Sequence, residues 1–308
     1  MPAAFHPDLL RTSLAPLTAR QPLSAQAQDY QRFYGLNLSA HSWLGGFQAA
    51  GFELVGQAWL PDQPSATLFL LHGYYDHMGL YRHVVDWALS MNFAVLACDL
   101  PGHGLSSGAR ASIGDFAEYQ QVLAGLFEQA SELGLPQPWH LCGQSTGGAI
   151  LLDYLLADGK RPELGQSILL APLVRPRAWA WSKLSYRMLS PFVREIPRRF
   201  SENSSDATFI DFVHNLDPLQ PRSLPTAWVG ALAKWVPHVE AAGRSTHSPL
   251  IIQGEADMTV DWRYNLEVLQ DKFHQPQILR LTDARHHLAN ENETLRKHYF
   301  DFLRERLA

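Results

Sequence analysis

The chain has 308 residues, of which 46% are hydrophobic, and a formal net charge of -5 at neutral pH. A chain of this length can bury a large core, and its length allows one or two domains. The negative charge gives no electrostatic case for nucleic-acid binding, because phosphate backbones are held by lysine and arginine.

Residues 1–40 contain no apolar run long enough to span a bilayer. The segment Ala25-Gln26-Ala27 resembles a signal-peptide cleavage site, but Arg11 and Arg20 interrupt the stretch that would have to be apolar. We therefore expect a cytoplasmic protein whose residues 1–50 form an N-terminal extension and edge elements.

Short apolar runs alternate with helical stretches along the rest of the chain. Residues 115–133 carry apolar side chains at i, i+3, i+4 spacing, which is typical of a helix with one buried face. The alternation predicts the α/β class, with a mostly parallel sheet covered by helices on both faces. The predicted strands lie at 67–71, 93–98, 139–142, 167–171, 249–253 and 277–281, with antiparallel edge strands within 51–60.

Two cysteines, Cys98 and Cys142, lie in predicted core strands that are not neighbours in the usual order of such sheets. Buried, reduced thiols are therefore expected, and a disulfide is not. Their spacing does not match that of metal ligands. We expect neither a metal nor a cofactor.

The strand at 139–142 runs into Gly143-Gln144-Ser145-Thr146-Gly147, a Gly-x-Ser-x-Gly motif followed by an apolar, helix-like run. A serine on a sharp strand-to-helix turn needs small neighbours, because the backbone there is strained. A serine hydroxyl is a weak nucleophile, so it also needs a base, an acid that orients the base, and donors for an oxyanion. The motif predicts Ser145 as a nucleophile at the carboxyl edge of the sheet.

Candidates for the acid and the base follow the nucleophile in the chain. Asp257 comes just after the strand at 249–253 and is the expected acid, with Glu255 as its competitor. The strand at 277–281 leads to His286 and His287, and one of these histidines should be the base. The other histidines have no comparable context and are interpreted as surface or packing residues.

Four segments together resemble the α/β-hydrolase superfamily, and within it the monoacylglycerol lipase and lysophospholipase group, which is also classed with serine aminopeptidases. The segment His72-Gly73-Tyr74-Tyr75-Asp76-His77 is similar to the group's His-Gly-x-x-Glu-His, and residues 99–108 reproduce its Asp-x-x-Gly-His-Gly-x-Ser loop. The nucleophile motif and the pair Asp257 and His286 complete the set. The resemblance runs from about Phe52 to the C-terminus.

The resemblance also implies roles for individual residues. His286 occupies the Ala-x-His position at which related hydrolases keep their base, whereas His287 would point elsewhere. The backbone N–H groups of Tyr74 and Thr146 correspond to the oxyanion hole. Three departures concern the substrate: Gln144 and Thr146 stand where these lipases usually have His and Met, and Asp76 replaces their Glu.

An insertion at 173–247 separates the strand at 167–171 from the strand before Asp257 and is too long for a simple crossover. The resemblance implies that it forms a helical cap over Ser145, so that 1–172 and 248–308 form the hydrolase core. Ligand sites are mostly apolar, which makes aromatic cap residues candidates for binding an acyl chain. They could equally pack the cap on itself. The candidates are Trp179, Trp181, Phe212 and Trp228.

The early cap is basic and amphipathic. Helical spacing puts apolar residues on one side and Lys183 with Arg187 on another. Such a helix could make peripheral contact with an anionic membrane, and an ordinary solvated cap helix is the alternative. The apolar residues are Trp181, Leu184, Met188 and Phe192.

The resemblance implies a serine ester hydrolase that cleaves acylglycerols or lysophospholipids through an acyl-enzyme. A proline-type aminopeptidase is the second hypothesis, and it is disfavoured because the cap shows no evident acidic cluster to hold a substrate ammonium. A non-catalytic binding protein is the third, but it would be expected to have lost Ser145, Asp257 or His286. The expected partner is a small lipid or ester, and the sequence does not indicate an oligomeric state.

Overall fold

An eight-stranded sheet forms the centre of the computed structural model, which describes residues 5–157 and 162–307. The strands are β1 (His41–Ala49), β2 (Phe52–Leu60), β3 (Ala66–Leu71), β4 (Phe93–Cys98), β5 (Trp139–Gln144), β6 (Leu164–Leu170), β7 (Glu195–Pro197), β8 (Ser223–Pro225), β9 (Leu250–Gly254) and β10 (Gln277–Leu281). The central sheet has the order β1-β2-β4-β3-β5-β6-β9-β10, and β7 pairs with β8 in a separate two-stranded antiparallel sheet. In this spatial order, the six strands from β4 to β10 run parallel to one another, whereas β2 is antiparallel to both of its neighbours, β1 and β4.

The central strands are apolar along their whole length because helices cover both faces of the sheet. Every residue of β3, β4 and β5 is buried. These strands lie where their continuous apolar runs predict them, which confirms the mostly parallel α/β sheet. The edge strand β1 lies within residues 1–50, where edge elements were expected, but no strand was predicted at its position, since its partly exposed residues give only a weak pattern.

Ten α-helices occur in the described part of the chain. They are α1 (Pro7–Ser13), α2 (Ala25–Tyr34), α3 (Arg82–Ser90), α4 (Phe116–Glu132), α5 (Thr146–Leu156), α6 (Trp179–Leu189), α7 (Ala207–Asp211), α8 (Thr226–Ala241), α9 (Trp262–Lys272) and α10 (Glu293–Leu307). Helix α4 begins with a capping box, in which the Asp115 side chain accepts from the Ala117 N–H and Glu118 accepts from the Asp115 N–H. The predicted helix at 115–133 is therefore confirmed.

In chain order, the insertion between β6 and β9 contains α6, β7, α7, a π-helical turn at Phe212–Leu216, β8 and α8. It is thus not purely helical, because two short segments of extended backbone pair with each other. Trp235 of α8 stacks on Phe116 of α4, with 4.9 Å between the ring centroids, and this contact ties the insertion to the helical layer. The cap boundaries at 173 and 247 stay a prediction.

Both cysteines are buried and unpaired, and β3 separates the two strands that carry them. Among the described residues, no helix has the length and apolar character needed to cross a membrane.

Candidate active site

Ser145 lies on the sharp turn between β5 and α5, with φ of +52° and ψ of -106°. Its backbone N–H donates to the Leu170 carbonyl at 2.9 Å, which fixes the turn against β6. A Cβ at Gly143 would lie 2.4 Å from the Gly147 carbonyl, and a Cβ at Gly147 would lie 2.2 Å from the Leu71 oxygen. No side chain fits at either position, so the two glycines allow the strained turn that presents Ser145.

The structure brings the three predicted triad residues together. His286 Nε2 lies 2.9 Å from Ser145 Oγ, and His286 Nδ1 lies 2.7 Å from Asp257 Oδ2. Glu255 does not take part, because its carboxylate faces Arg280 at 3.5 Å. The arrangement is that of a nucleophile, a base and an orienting acid.

Backbone and side-chain donors hold the Asp257 carboxylate in place. Its Oδ1 accepts from the N–H groups of Thr259 and Val260 at 2.7 and 3.1 Å, and its Oδ2 accepts from Gln253 Nε2 at 3.2 Å. Burial raises the pKa of Asp257, but His286 and the N–H groups of Thr259 and Val260 outweigh burial and leave the pKa below its usual range. Asp257 therefore stays ionised beside the imidazole.

Burial lowers the pKa of His286, but the Asp257 carboxylate more than offsets this effect and leaves the pKa above its ordinary value. A second contact fixes the histidine loop, since Gln144 Nε2 donates to the His286 carbonyl at 2.9 Å. Gln144 immediately precedes Ser145, so this bond joins the nucleophile turn to the loop that carries the imidazole.

The loop after β3 lies directly against the nucleophile. A Cβ at Gly73 would be only 3.4 Å from the Ser145 Cβ, and Tyr74 follows Gly73. Thr146 is the first residue of α5. Within the described ranges, neither the Tyr74 nor the Thr146 backbone N–H donates to a protein acceptor, so both remain available to an oxyanion.

His287 has a different environment from His286. Its Nε2 lies 3.1 Å from Asp76 Oδ2, and the same oxygen accepts from the Tyr81 hydroxyl at 2.8 Å. The Tyr81 oxygen in turn accepts from the Gly73 N–H at 2.9 Å. Burial raises the pKa of Asp76, but His287 outweighs it and leaves the pKa lowered. His287 therefore supports the loop beside Ser145, a role that the motif position of Asp76 could have indicated.

Among the histidines interpreted from the sequence as surface or packing residues, His77 is fully buried and has a carboxylate partner that the sequence did not reveal. His77 forms a fully buried ion pair with Asp217 of the insertion, with Nε2 2.9 Å from Oδ2. The Tyr34 hydroxyl of α2 donates to the other carboxylate oxygen at 2.7 Å. This contact joins the insertion, the core and the N-terminal extension. The sequence did not reveal it, because its three residues lie far apart in the chain.

The four aromatic candidates for substrate binding do not lie together. Trp179 and Trp228 line one apolar cavity of about 240 Å³, and Trp228 stacks on Tyr74 with 3.8 Å between the ring centroids. Trp181 is 69% exposed outside this cavity. Phe212 packs instead against Phe33 of α2, with 5.5 Å between the rings. Only two of the four therefore border this cavity, whose lining meets the loop after β3 through the stacking of Trp228 on Tyr74.

Residues 62–293 match the family described as serine aminopeptidase, S33. The chain belongs to this family. Human monoglyceride lipase is 28% identical over 255 residues, which cover 79% of this chain and 82% of the relative. A monoacylglycerol lipase of Mycolicibacterium smegmatis is 33% identical over 117 residues, which cover 38% of this chain and 41% of the relative.

A solved structure agrees with the fold. A soluble variant of monoglyceride lipase from Saccharomyces cerevisiae, in complex with a substrate analog, superposes with a TM-score of 0.74 at 16% identity, covering 88% of this chain and 96% of that one. The predicted α/β-hydrolase fold and the membership of the monoacylglycerol lipase-like group are thus confirmed. The protein is a carboxylic ester hydrolase.

Proposed function

We propose that this hydrolase cleaves esters through an acyl-enzyme on Ser145. The observation that carries the proposal is the continuous hydrogen-bonded chain from Asp257 through His286 to Ser145, at 2.7 and 2.9 Å. In it, His286 Nε2 takes the proton of Ser145 Oγ as that oxygen attacks the ester carbonyl carbon, and Asp257 stabilises the imidazolium. Nε2 then protonates the departing alkoxide, and water repeats the sequence to release the acid.

The negative charge of the tetrahedral intermediate would fall on the former carbonyl oxygen. The backbone N–H groups of Tyr74 and Thr146 are its proposed donors, because both flank Ser145 and both lack protein acceptors within the described ranges. The stacking of Trp228 on Tyr74 would hold this part of the loop in place.

The proposed substrates are acylglycerols or lysophospholipids, whose acyl chain would enter the cavity lined by Trp179 and Trp228. An aminopeptidase would need an acidic group for the substrate ammonium. Three acidic side chains of the insertion are already engaged within the protein. Asp217 pairs with His77, Glu240 with Arg175, and Glu202 with Arg285. The contacts therefore favour the esterase over the peptidase.

A panel of substrates tests this assignment. We expect kcat/KM for p-nitrophenyl esters to rise several-fold per added carbon, because each buried methylene contributes up to about 0.8 kcal/mol, until the cavity is full. Monoacylglycerol or lysophosphatidylcholine should be cleaved, and proline p-nitroanilide should not. Filling the cavity with Ser185→Phe should shorten the preferred chain, whereas Trp181→Ala, outside the cavity, should not. If kcat/KM did not change with chain length from acetate to dodecanoate, this cavity would not bind the acyl chain.

The role of Asp257 makes a separate prediction. Asp257→Asn should lower kcat about ten-thousandfold with little change in KM, because the carboxylate orients the imidazole without touching substrate. The carboxylate raises the pKa of His286, so its loss should move the acid limb of the pH–kcat profile to lower pH. Glu255→Gln is the matched control and should retain activity. A larger loss in Glu255→Gln would transfer the role of the acid to Glu255.

We also propose that α6 contacts an anionic membrane surface from the cytoplasm, where we expect the protein to be located. Its apolar side is exposed: Trp181 by 69%, Met188 by 64% and Phe192, just beyond the helix, by 86%. Lys183 and Arg187 lie on the same helix and would add electrostatic attraction to anionic lipids.

Sedimentation with anionic liposomes tests the membrane contact. The double variant Lys183→Glu/Arg187→Glu should bind less than the wild type, and added salt should weaken wild-type binding through screening. The variant Lys297→Glu/Arg304→Glu on α10 changes the net charge equally and should bind as the wild type does. Hydrolysis of soluble short esters should be unaffected in both. If the wild-type protein did not sediment with anionic liposomes at low salt, the membrane contact would be excluded.

A further inference from the structure

One arginine of the insertion, Arg198, lies beside the loop that follows β3. Its guanidinium is held between two aromatic rings, with Cζ 4.1 Å from the Tyr75 centroid and 4.2 Å from the Phe200 centroid. The Arg198 backbone N–H donates to the Arg222 carbonyl at 2.9 Å and so extends the antiparallel pairing of β7 with β8. Ring packing and backbone pairing therefore fix the position of the guanidinium.

The charge of Arg198 has no partner of opposite sign. Nη1 donates to Gln220 Oε1 at 2.7 Å and to the Pro221 carbonyl at 3.2 Å. In the part of the chain that the structure describes, Nε and Nη2 have no acceptor, and no carboxylate lies within ion-pair distance. Arg175, also in the insertion, differs in that it pairs with Glu240 at 2.5 Å. A partly buried cation without a counter-ion is unfavourable unless an anion binds to it.

The electrostatic environment agrees with this description. Burial lowers the pKa of Arg198. Asp76 is the carboxylate that acts on it most strongly, but that side chain is already engaged by Tyr81 and His287. The neighbouring charge of Arg222 further opposes the protonated form. The positive charge of Arg198 is therefore only partly offset by a carboxylate that already has other partners.

Arg198 stacks on the loop that packs against Ser145. Tyr75, on which it stacks, is two residues from Gly73, and a Cβ at Gly73 would lie 3.4 Å from the Ser145 Cβ. One loop therefore contacts both the Ser145 turn and the guanidinium.

We propose that Arg198 binds an anionic group, a phosphate or a carboxylate, of the ester substrate. The two unpaired nitrogens, Nε and Nη2, form the side of the guanidinium that offers two parallel N–H donors, which match the oxygens of either anion. Both rings contact the guanidinium at Cζ, and neither nitrogen of this edge has a protein acceptor in the described part of the chain. The inference rests on the proposed function in one respect, namely that Ser145 attacks the ester.

Matched pairs of esters that differ by one charged group test the proposal and separate the two anion sources. The first pair is 1-decanoylglycerol 3-phosphate and 1-decanoylglycerol, with the phosphate on the alcohol. The second is the methyl half-ester of decanedioic acid and methyl decanoate, with the carboxylate on the acyl chain. We expect Arg198→Gln to lower kcat/KM about tenfold to a hundredfold for one anionic ester, mainly through KM, with a much smaller loss for its neutral partner. Arg198→Lys should retain part of the preference, and Arg199→Gln, at the exposed neighbouring position, should retain all of it.

An equal loss for charged and neutral esters would mean that Arg198 only holds Tyr75, and it would overturn the proposal. Calorimetric binding of glycerol 3-phosphate and of decanedioate to the Ser145→Ala protein gives an independent measurement. If the wild type hydrolysed no ester, and Arg198→Gln abolished anion binding, the proposed function would be refuted and the anion site would be retained. Ester hydrolysis without Arg198-dependent binding or discrimination would refute the anion site alone.

Discussion

Ser145→Ala is expected to lower kcat for ester hydrolysis by about a millionfold, because in the proposed mechanism the Ser145 hydroxyl oxygen forms the acyl-enzyme and alanine has no nucleophile to replace it. The Ser145 side chain is hydrogen-bonded to His286, and the loss of one such bond changes the free energy of unfolding by only about 1 kcal/mol. Steady-state kinetics and thermal unfolding of the same preparation measure both quantities.

Ser167→Ala is the matched control for this variant. Ser167 is also a buried serine, but it lies within β6, away from the turn that carries Ser145. The control should keep wild-type kcat. Undiminished hydrolysis by Ser145→Ala would exclude the serine mechanism, whereas equal losses in both variants would point to damage to the fold.

His286→Ala should be as damaging as the serine variant, because its imidazole is the only ring hydrogen-bonded to both Ser145 and Asp257 in the described part of the chain. His287→Ala should cost about tenfold or less, since that ring faces Asp76 and acts on the loop beside the nucleophile. Combining Ser145→Ala with His286→Ala should add almost nothing to either single loss, because the two groups act as a unit.

Comparison of the two single histidine variants by kcat on one short soluble ester checks this prediction. A short ester avoids any dependence on the cap cavity or on a lipid surface. If His287→Ala lost more activity than His286→Ala, the base would have to be reassigned by one position.

The sequence predicted the nucleophile turn because the reasons for it are local. Gly143 and Gly147 lie within two residues of Ser145, and a Cβ at either position would collide with backbone atoms. The buried strands were equally predictable from the sequence, since a strand covered on both faces must be apolar throughout, as in β3 and β4. The edge strand β1 carries no such pattern, so the sequence predicted only edge elements within residues 1–50 and not this strand.

The sequence by itself determined the fold class, the position of Ser145 and the short set of candidates for its partners. Two adjacent histidines have the same chemistry, and it is the path of the loop after β10 that directs His286 to Ser145 and His287 to Asp76. The contacts of Asp217 with His77 and of Arg198 with Tyr75 arose only from the way the insertion packs on the core. Such contacts depend on the relative placement of distant segments, which packing of the whole chain decides and local propensity does not encode.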